Sequence, residues 1–323
     1  NCSSFIDNGK EYIISRCVSY FLSEDTSILL NGKYHTKNML YQKVDDDWNL
    51  KFIKELSEPP GDPNSRWYGY EDLRIVEWGS ENYFSCTTVS GNTDAGTMTF
   101  GKLENLDISV TKQILTRNRR EKNWAPIEFA PFHYVYSFDP LVIVNISNEK
   151  FFGRHVANLG AQISGSTALI EYRDKFLALV HRKDRNSRYT HQFIELNPDF
   201  RIIRVSNEFS FTGAKTEFCV DLKVRNGKLR LLPSISDGIS YCFELDSDLV
   251  ERILNRDLDD NTDNGVYERL FDDAKHISNE VATIFSIDSR INRVRMEGIA
   301  LLDKSKFNDE QKEQIARILN RKI

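Results

Sequence analysis

Five segments of the chain repeat one plan: a polar or small stretch, a short apolar strand, a tight turn, and a second strand opening on an aromatic residue or leucine. They begin at Ser3 (SSFIDNGKEYIISR), Glu71 (EDLRIVEWGSENYFSCTT), Ala125 (APIEFAPFHYVYSF), Ser166 (STALIEYRDKFLALVHR) and Glu217 (EFCVDLKVRNGKLRLLPSIS). Asn8-Gly9 and Asn226-Gly227 are hairpin pairs, because both central positions of a type I′ turn need positive φ. The second strands start near Tyr12, Tyr83, Tyr134, Phe176 and Leu229, at intervals of 71, 51, 42 and 53 residues, the scale of one propeller blade. Further strand-like runs lie between them: Thr97 to Leu103 with Ser109 to Leu115, Leu141 to Ile146, and His191 to Leu196 with Ile202 to Val205. Repeats of about four strands with turn-rich joints predict radial sheets around an axis, an all-β five-bladed β-propeller over residues 1–254. A sandwich is the alternative that the pattern leaves open.

Asn31 to Pro63 is expected to be a long excursion from the first blade, ending in EPPGDP, which cannot continue a ladder. After Leu254 an acidic, turn-rich linker runs to Gly265. Val266 to Phe285 then has helical spacing, and Asn308 followed by Gln311 resembles a helix start with Ile315, Ile318 and Leu319 on one face. Residues 255–323 are therefore expected to be a C-terminal helical appendage, with homo-oligomerisation through these helices among its candidate roles.

Hydrophobic residues make up 40% and charged residues 28%, which places the chain with globular proteins. A net charge of -5 with only one short basic run, Arg117 to Lys122, argues against nucleic-acid binding. The five cysteines are odd in number and lack close pairs, so neither a disulfide framework nor a zinc site is signalled. No apolar run reaches the ~18 residues of a membrane span and no signal-peptide pattern opens the sequence. The expected location is cytoplasmic, although a chain that does not open on Met leaves room for a segment upstream.

If the first strands run outward from the axis, their starts face one funnel: Asn1 and Ser3, Glu71 and Asp72, Lys122-Asn123-Trp124, Gly165-Ser166, and Glu217. The second strands return to it at Arg16, Thr87-Thr88, Asp139, His181-Arg182 and Ser236-Asp237. Carboxylates and amides bind vicinal hydroxyls, and Trp67, Tyr70 or Trp124 can stack on a sugar ring. Acid–base work on a glycosidic bond needs carboxyl groups, for which Asp72, Glu217 and Asp237 are the candidates. Arg74, Lys122, His181, Arg182, Arg188 and His191 are more basic groups than a neutral sugar needs and suit a phosphate. For Arg182, Arg185 and Arg188 the competing reading is a surface loop paired with Asp184, and for Glu71 to Arg74 a solvated strand end. His181 and His191 have no obvious third ligand, so no metal site and no cofactor are expected.

The run Gly69-Tyr70-Glu71-Asp72-Leu73-Arg74 resembles the Gly-x-Glu-Asp-Pro-Arg signature of glycoside hydrolase family 130, the five-bladed β-mannoside phosphorylases and hydrolases. It is also similar to the mannosyltransferase/phosphorylases of glycosyltransferase family 108. Lys122-Asn123 before a strand resembles the Lys-Asn element opening their third blade, and Asn1 to Arg16 their first-blade Asn-Pro-Ser to Arg pattern. The resemblance spans roughly residues 1–245, departing from the family at Leu73 and at Trp124-Ala125-Pro126, with Glu-Asp-x-Arg its one specific element.

The resemblance implies Asp72 as general acid in an inverting single displacement, with Arg74, Lys122, Asn123, His181 and Arg182 as sugar or phosphate contacts. The expected partners are thus a sugar or glycan and a phosphate, nucleotide-sugar or lipid-phosphate sugar. The expected enzyme is a glycosyltransferase or glycoside phosphorylase of carbohydrate metabolism, acting on a β-linked, mannose-like glycoside (mannoside). An inverting hydrolase (glycosidase) and a propeller that binds glycan or protein without chemistry are the alternatives.

Overall fold

Two-residue turns set the register of the sheets. Asn8 and Gly9 (φ 47° and 73°) join Asp7 to its partner Lys10, and Asn226 and Gly227 (φ 52° and 76°) join Arg225 to Lys228. Asn105-Leu106 and Arg173-Asp174 make the same turn with positive φ at both positions, a conformation whose twist matches that of the flanking strands.

The computed structural model describes residues 1–257 except 23–26, 30–31, 92–95, 115–121, 149, 156, 158, 160–162 and 255. The expected helices at 266–285 and from 308 lie outside the described residues. An eight-stranded sheet comes first. Its first half is antiparallel: Cys2–Asp7, Lys10–Val18, Tyr34–Lys43 and Leu50–Glu55. A short parallel contact, Tyr34 with Trp67 and His35 with Tyr68, joins this half to the antiparallel strands Trp67–Trp78, Glu81–Gly91, Gly96–Glu104 and Asp107–Ile114. A four-stranded sheet follows, from Ala125–Pro126 through Lys150–His155. The next sheet has six strands, from Ser164–Gly165 through Ile202–Val205 with Arg256–Asp257 on its edge. A last four-stranded sheet runs from Glu217–Arg225 to Phe243–Leu245. A separate hairpin pairs Tyr20–Leu22 with Ser27–Leu29.

The described residues are nearly all β. One short helix, Ser247–Ile253, was not legible as such; it buries Val250 and Ile253 and is tied down by Arg204, which reaches both Glu195 and Glu251.

The excursion expected at Asn31 to Pro63 holds two strands of the sheet, because Tyr34–Lys43 and Leu50–Glu55 complete the first group of strands. Thr36 and Asn38 point inward beside Leu40, so the buried face carries polar residues and its alternation does not read as apolar/polar. The true loop is the proline-rich stretch that follows Glu55.

The sheets are joined through their first strands. Ser4 Oγ donates to Asp221 (2.6 Å), bringing the first group against the last, and Lys223 Nζ donates to the Ile75 carbonyl (2.8 Å). Trp78 Nε1 donates to the Ile127 carbonyl (3.0 Å). The largest apolar cluster joins the four large sheets, through Phe100, Trp124, Tyr134, Leu179, Phe193 and Phe243. The ends of these strands therefore share one rigid surround.

Candidate active site

Alternation along Trp67–Trp78 puts Trp67, Gly69 and Glu71 on one face and Tyr68 and Tyr70 on the other. Continued without a break, it would bury Asp72 beside Tyr70. Instead the pairing slips between Glu71 and Arg74, and Asp72 takes φ 56°. Aspartate tolerates this left-handed conformation better than most residues, and a bulge of this kind re-aims a side chain. Asp72 is thereby turned to the same side as Glu71, where both line a cavity of about 410 Å³, within the ~300–1,000 Å³ of small-molecule sites. Gly69 is required by the close pass of the neighbouring strand, since a Cβ there would lie 2.2 Å from the Thr36 carbonyl oxygen.

Arg16, at the end of the second strand, is the hub of one wall. Its Nη1 donates to Asp72 Oδ1 at 2.7 Å and lies 3.9 Å from Asp237 Oδ1, while Nη2 is 3.4 Å from Glu71 Oε1. Nε donates to Thr36 Oγ1 (2.9 Å) and Nη2 to Tyr20 Oη (2.8 Å), and Tyr20 in turn donates to Asp237 Oδ2 (2.8 Å). Asn1 Nδ2 adds a further donor to Asp72. Burial pushes the Asp72 carboxyl up, but Arg16, Arg74 and Asn1 outweigh it and hold the group down at about 2. Burial disfavours the charged Arg16 as well, and the surrounding Tyr20, Asp237, Asp72 and Glu71 more than restore it, raising its pKa.

Another part of the cavity is basic. Lys122, Lys183 and Lys215 line it from three different stretches of chain. His181 lines it too, its Nδ1 2.8 Å from Ser166 Oγ and its ring against Tyr189 and Phe218. Burial, reinforced by His191, Lys122 and Arg74, drives the His181 pKa well below the usual value, so the ring is neutral at physiological pH. Trp67 and Tyr34, stacked at 4.1 Å, supply an aromatic wall.

Of the residues singled out from sequence, Asn1, Arg16, Trp67, Glu71, Asp72, Thr87, Lys122, Asn123, His181 and Asp237 come together around this cavity. The others stand elsewhere. Arg74 is fully buried behind it, donating through Nε to the Ser166 carbonyl (2.6 Å), through Nη1 to the Asp72 carbonyl (3.1 Å) and through Nη2 to Asn123 Oδ1 (3.1 Å). It holds the strand starts rather than a ligand. Glu217 is also fully buried, its carboxylate taken up by the backbone N–H groups of Phe211 (2.7 Å), Thr212 (2.8 Å) and Ala214 (3.0 Å). Tyr70 packs in the core with Leu73 and Phe84, and Trp124 packs against Phe100 and Tyr136, so neither offers a face to a sugar.

Arg182 lies on the strand face opposite His181 and pairs with Glu208 (2.9 Å). Arg188 donates to the Gly213 carbonyl (2.8 Å). His191 sits across the sheet from His181 in a fully buried aromatic nest of Phe209 and Phe211.

Sequence reasoning missed Tyr20, Tyr34, Lys183 and Lys215. Lys183 had a usable signal, since it stands two residues after His181 on the same strand and so shares its face. Tyr34 lay in the stretch read as leaving the repeat, and Tyr20 lies between the first hairpin and that stretch, where the repeat pattern assigned no role. Among the described residues no group of three or more His, Cys, Asp or Glu side chains is placed to hold a metal, and no helix is long and apolar enough to cross a membrane.

The fold is like that of the glycoside hydrolase family 130 mannoside phosphorylases and hydrolases. Three solved structures carry the comparison. The β-1,2-mannobiose phosphorylase of Listeria innocua, in complex with β-1,2-mannobiose, is 12% identical with a TM-score of 0.54, covering 78% of this chain and 90% of its own. A glycosyl hydrolase from Bacteroides ovatus is 13% identical with a TM-score of 0.57, covering 77% of this chain and 84% of its own. The same identity, TM-score and coverage hold for a structure described with the family 130 hydrolases that target β-1,2-mannosidic linkages in Candida mannan. No family model and no curated protein sequence matches the chain.

Proposed function

We propose that the protein is a carbohydrate-active enzyme that makes or breaks a glycosidic bond to a mannose-like sugar by inverting displacement. Phosphate, or the phosphate of an activated sugar, would sit on the lysine side of the cavity, and the successive sheets would be the five blades of a propeller. The observation that carries this reading is Asp72, turned into the cavity by a left-handed bulge and held 2.7 Å from Arg16, in a cavity shared with Lys122, Lys183 and Lys215.

In the cleavage direction a phosphate oxygen attacks the anomeric carbon as the glycosidic bond breaks, and Asp72 gives its proton to the departing oxygen. In synthesis the steps reverse: the Asp72 carboxylate takes the proton of an acceptor hydroxyl, whose oxygen attacks the anomeric carbon as phosphate leaves. A carboxyl held down at about 2 is ionised at neutral pH, which is the state the synthetic direction starts from. The net direction follows the supply of phosphate or of a phosphorylated donor, whether a sugar phosphate or a nucleotide or lipid-phosphate sugar. Arg16, Asn123 and the neutral His181 would orient hydroxyls, and the Trp67–Tyr34 wall would stack on a sugar face.

An inverting hydrolase is the second reading, favoured by Asp237, the carboxylate beyond Glu71 and Asp72 that reaches the cavity and could activate water. The test is turnover of β-1,2-mannobiose with and without inorganic phosphate, beside mannose 1-phosphate or a nucleotide-mannose offered with mannose as acceptor. Phosphate-dependent cleavage or synthesis from a phosphorylated donor supports the proposal. Phosphate-independent release of mannose favours the hydrolase, and binding without turnover of any of these substrates leaves a glycan-binding propeller.

A further inference from the structure

Tyr20 is buried, lines the cavity, and lies edge-on to Tyr34 with ring centroids 5.3 Å apart. Its hydroxyl touches Arg16 and Asp237 at 2.8 Å each. A guanidinium only donates, so the hydroxyl oxygen must accept from Arg16 and the hydroxyl proton must point to Asp237. The order of the three groups is thereby fixed.

We propose that Tyr20 is a positioning residue: by occupying the second oxygen of Asp237, its hydroxyl keeps the Arg16 guanidinium on Asp72 instead of on Asp237. The proposal rests on the reading of Asp72 as the proton-transferring group, and assigns how its partner is chosen. Arg16 has three carboxylates within 4 Å, and the distances already rank them: 2.7 Å to Asp72, 3.4 Å to Glu71 and 3.9 Å to Asp237. Asp237 Oδ2 is the oxygen that Nη2 would otherwise seek, and Tyr20 Oη stands between them. Without the hydroxyl, Nη2 loses an acceptor and Asp237 loses a donor, and the two satisfy each other by direct contact. Asp72 would then share its principal cation.

The other charged groups around Asp72 do not change in this exchange. Arg74 is locked behind it by the Ser166 carbonyl and Asn123, and Glu71 stays on its own strand. Lys122 and the neutral His181 approach from other elements lining the cavity. Phenylalanine at position 20 preserves the ring that packs on Tyr34, so the substitution removes the hydroxyl alone.

The test is a carboxyl titration of Asp72 by NMR, with its signal assigned by Asp72→Asn, in wild type, Tyr20→Phe, Asp237→Asn and the double variant. Tyr20→Phe is expected to raise the Asp72 midpoint by ~1 unit or more, as weakening an adjacent ion pair does. Adding Asp237→Asn should bring it back, because the rival charge is gone; loosened packing would not be undone in this way. An unchanged midpoint in Tyr20→Phe, or a shift that Asp237→Asn does not reverse, overturns the proposal.

If Tyr20→Phe unfolds at the acid end, its crystal structure at neutral pH decides. Arg16 moved within hydrogen-bond reach of Asp237 is expected, and an Arg16 still on Asp72 alone overturns the proposal. Activity is read separately: a fully active Asp72→Asn removes the functional reading, whatever the titration gives.

Discussion

Arg16 and Asp72 stand 56 residues apart in sequence and 2.7 Å apart in space, on strands belonging to the two halves of the first sheet. Their contact exists because the strand carrying Asp72 breaks its alternation at that residue. The bulge exposes a carboxylate to the cavity, and the guanidinium keeps it ionised there.

Asp72→Asn should therefore leave the fold intact, since asparagine also accepts the left-handed conformation. It keeps an acceptor for Arg16 but can neither give nor take the proton. Turnover is expected to fall ~10²–10⁴-fold, while the binding of sugar measured by calorimetry survives. A variant that turns over at the wild-type rate would remove Asp72 from the chemistry.

Arg74 reads differently in the structure than in the sequence motif. Its guanidinium is fully buried and fixes the backbone at Asp72, the carbonyl of Ser166 and the side chain of Asn123. Arg74→Ala would leave those acceptors buried without a donor, together with the volume the side chain filled. A loss of roughly 3–5 kcal/mol in unfolding free energy is expected, measured by urea denaturation. Wild-type stability combined with weakened substrate binding would return Arg74 to the role of a ligand contact.

The hairpins were legible because two-residue turns and short apolar strands are local signals, and Asn8-Gly9 and Asn226-Gly227 set their registers directly. The Glu71-Asp72 motif was legible for the same reason. Which face each residue takes was not. A single register slip decides that Asp72 meets the cavity while Tyr70 enters the core, and Glu217 is drawn off by backbone donors of the 211–214 loop that no spacing reveals. The strand Tyr34–Lys43 escaped because its inward face carries Thr36 and Asn38, and Leu50–Glu55 because it is an edge strand with no buried side chain to set an alternation. With them went the neighbouring aromatic, Tyr34.

Lys183 and Lys215 offer a way to separate phosphate from sugar binding. Both line the cavity, and Lys183 Nζ lies 5.4 Å from the Tyr189 ring centroid. Replacing either with Met keeps most of the apolar stem and removes the charge. Charge-assisted hydrogen bonds contribute about 1.5–3 kcal/mol, so KM for phosphate or the phosphorylated donor should rise ~10-fold or more with little change in KM for the sugar acceptor. Equal changes in both constants would indicate that the lysines serve the cavity's shape, and unchanged constants would place the phosphate elsewhere.

His191 gives a pH signature independent of catalysis. Its imidazole is fully buried, neither ring nitrogen has a hydrogen-bond partner, and burial pushes its pKa from 6.5 down to about 3. Below pH ~6.5 the unfolded chain takes up a proton at this ring that the folded protein refuses. The native state is therefore penalised progressively as pH falls from about 6.5 toward about 3, and pays no such penalty above that window. His191→Leu removes both the titration and the unpaired ring atoms, at nearly the same volume, among Phe209 and Phe211. At pH 8 the variant should match or slightly exceed the wild type in urea midpoint. Its advantage should widen as pH is lowered through 6 to 4, and a difference that stays constant across that range would mean the ring has a partner when folded.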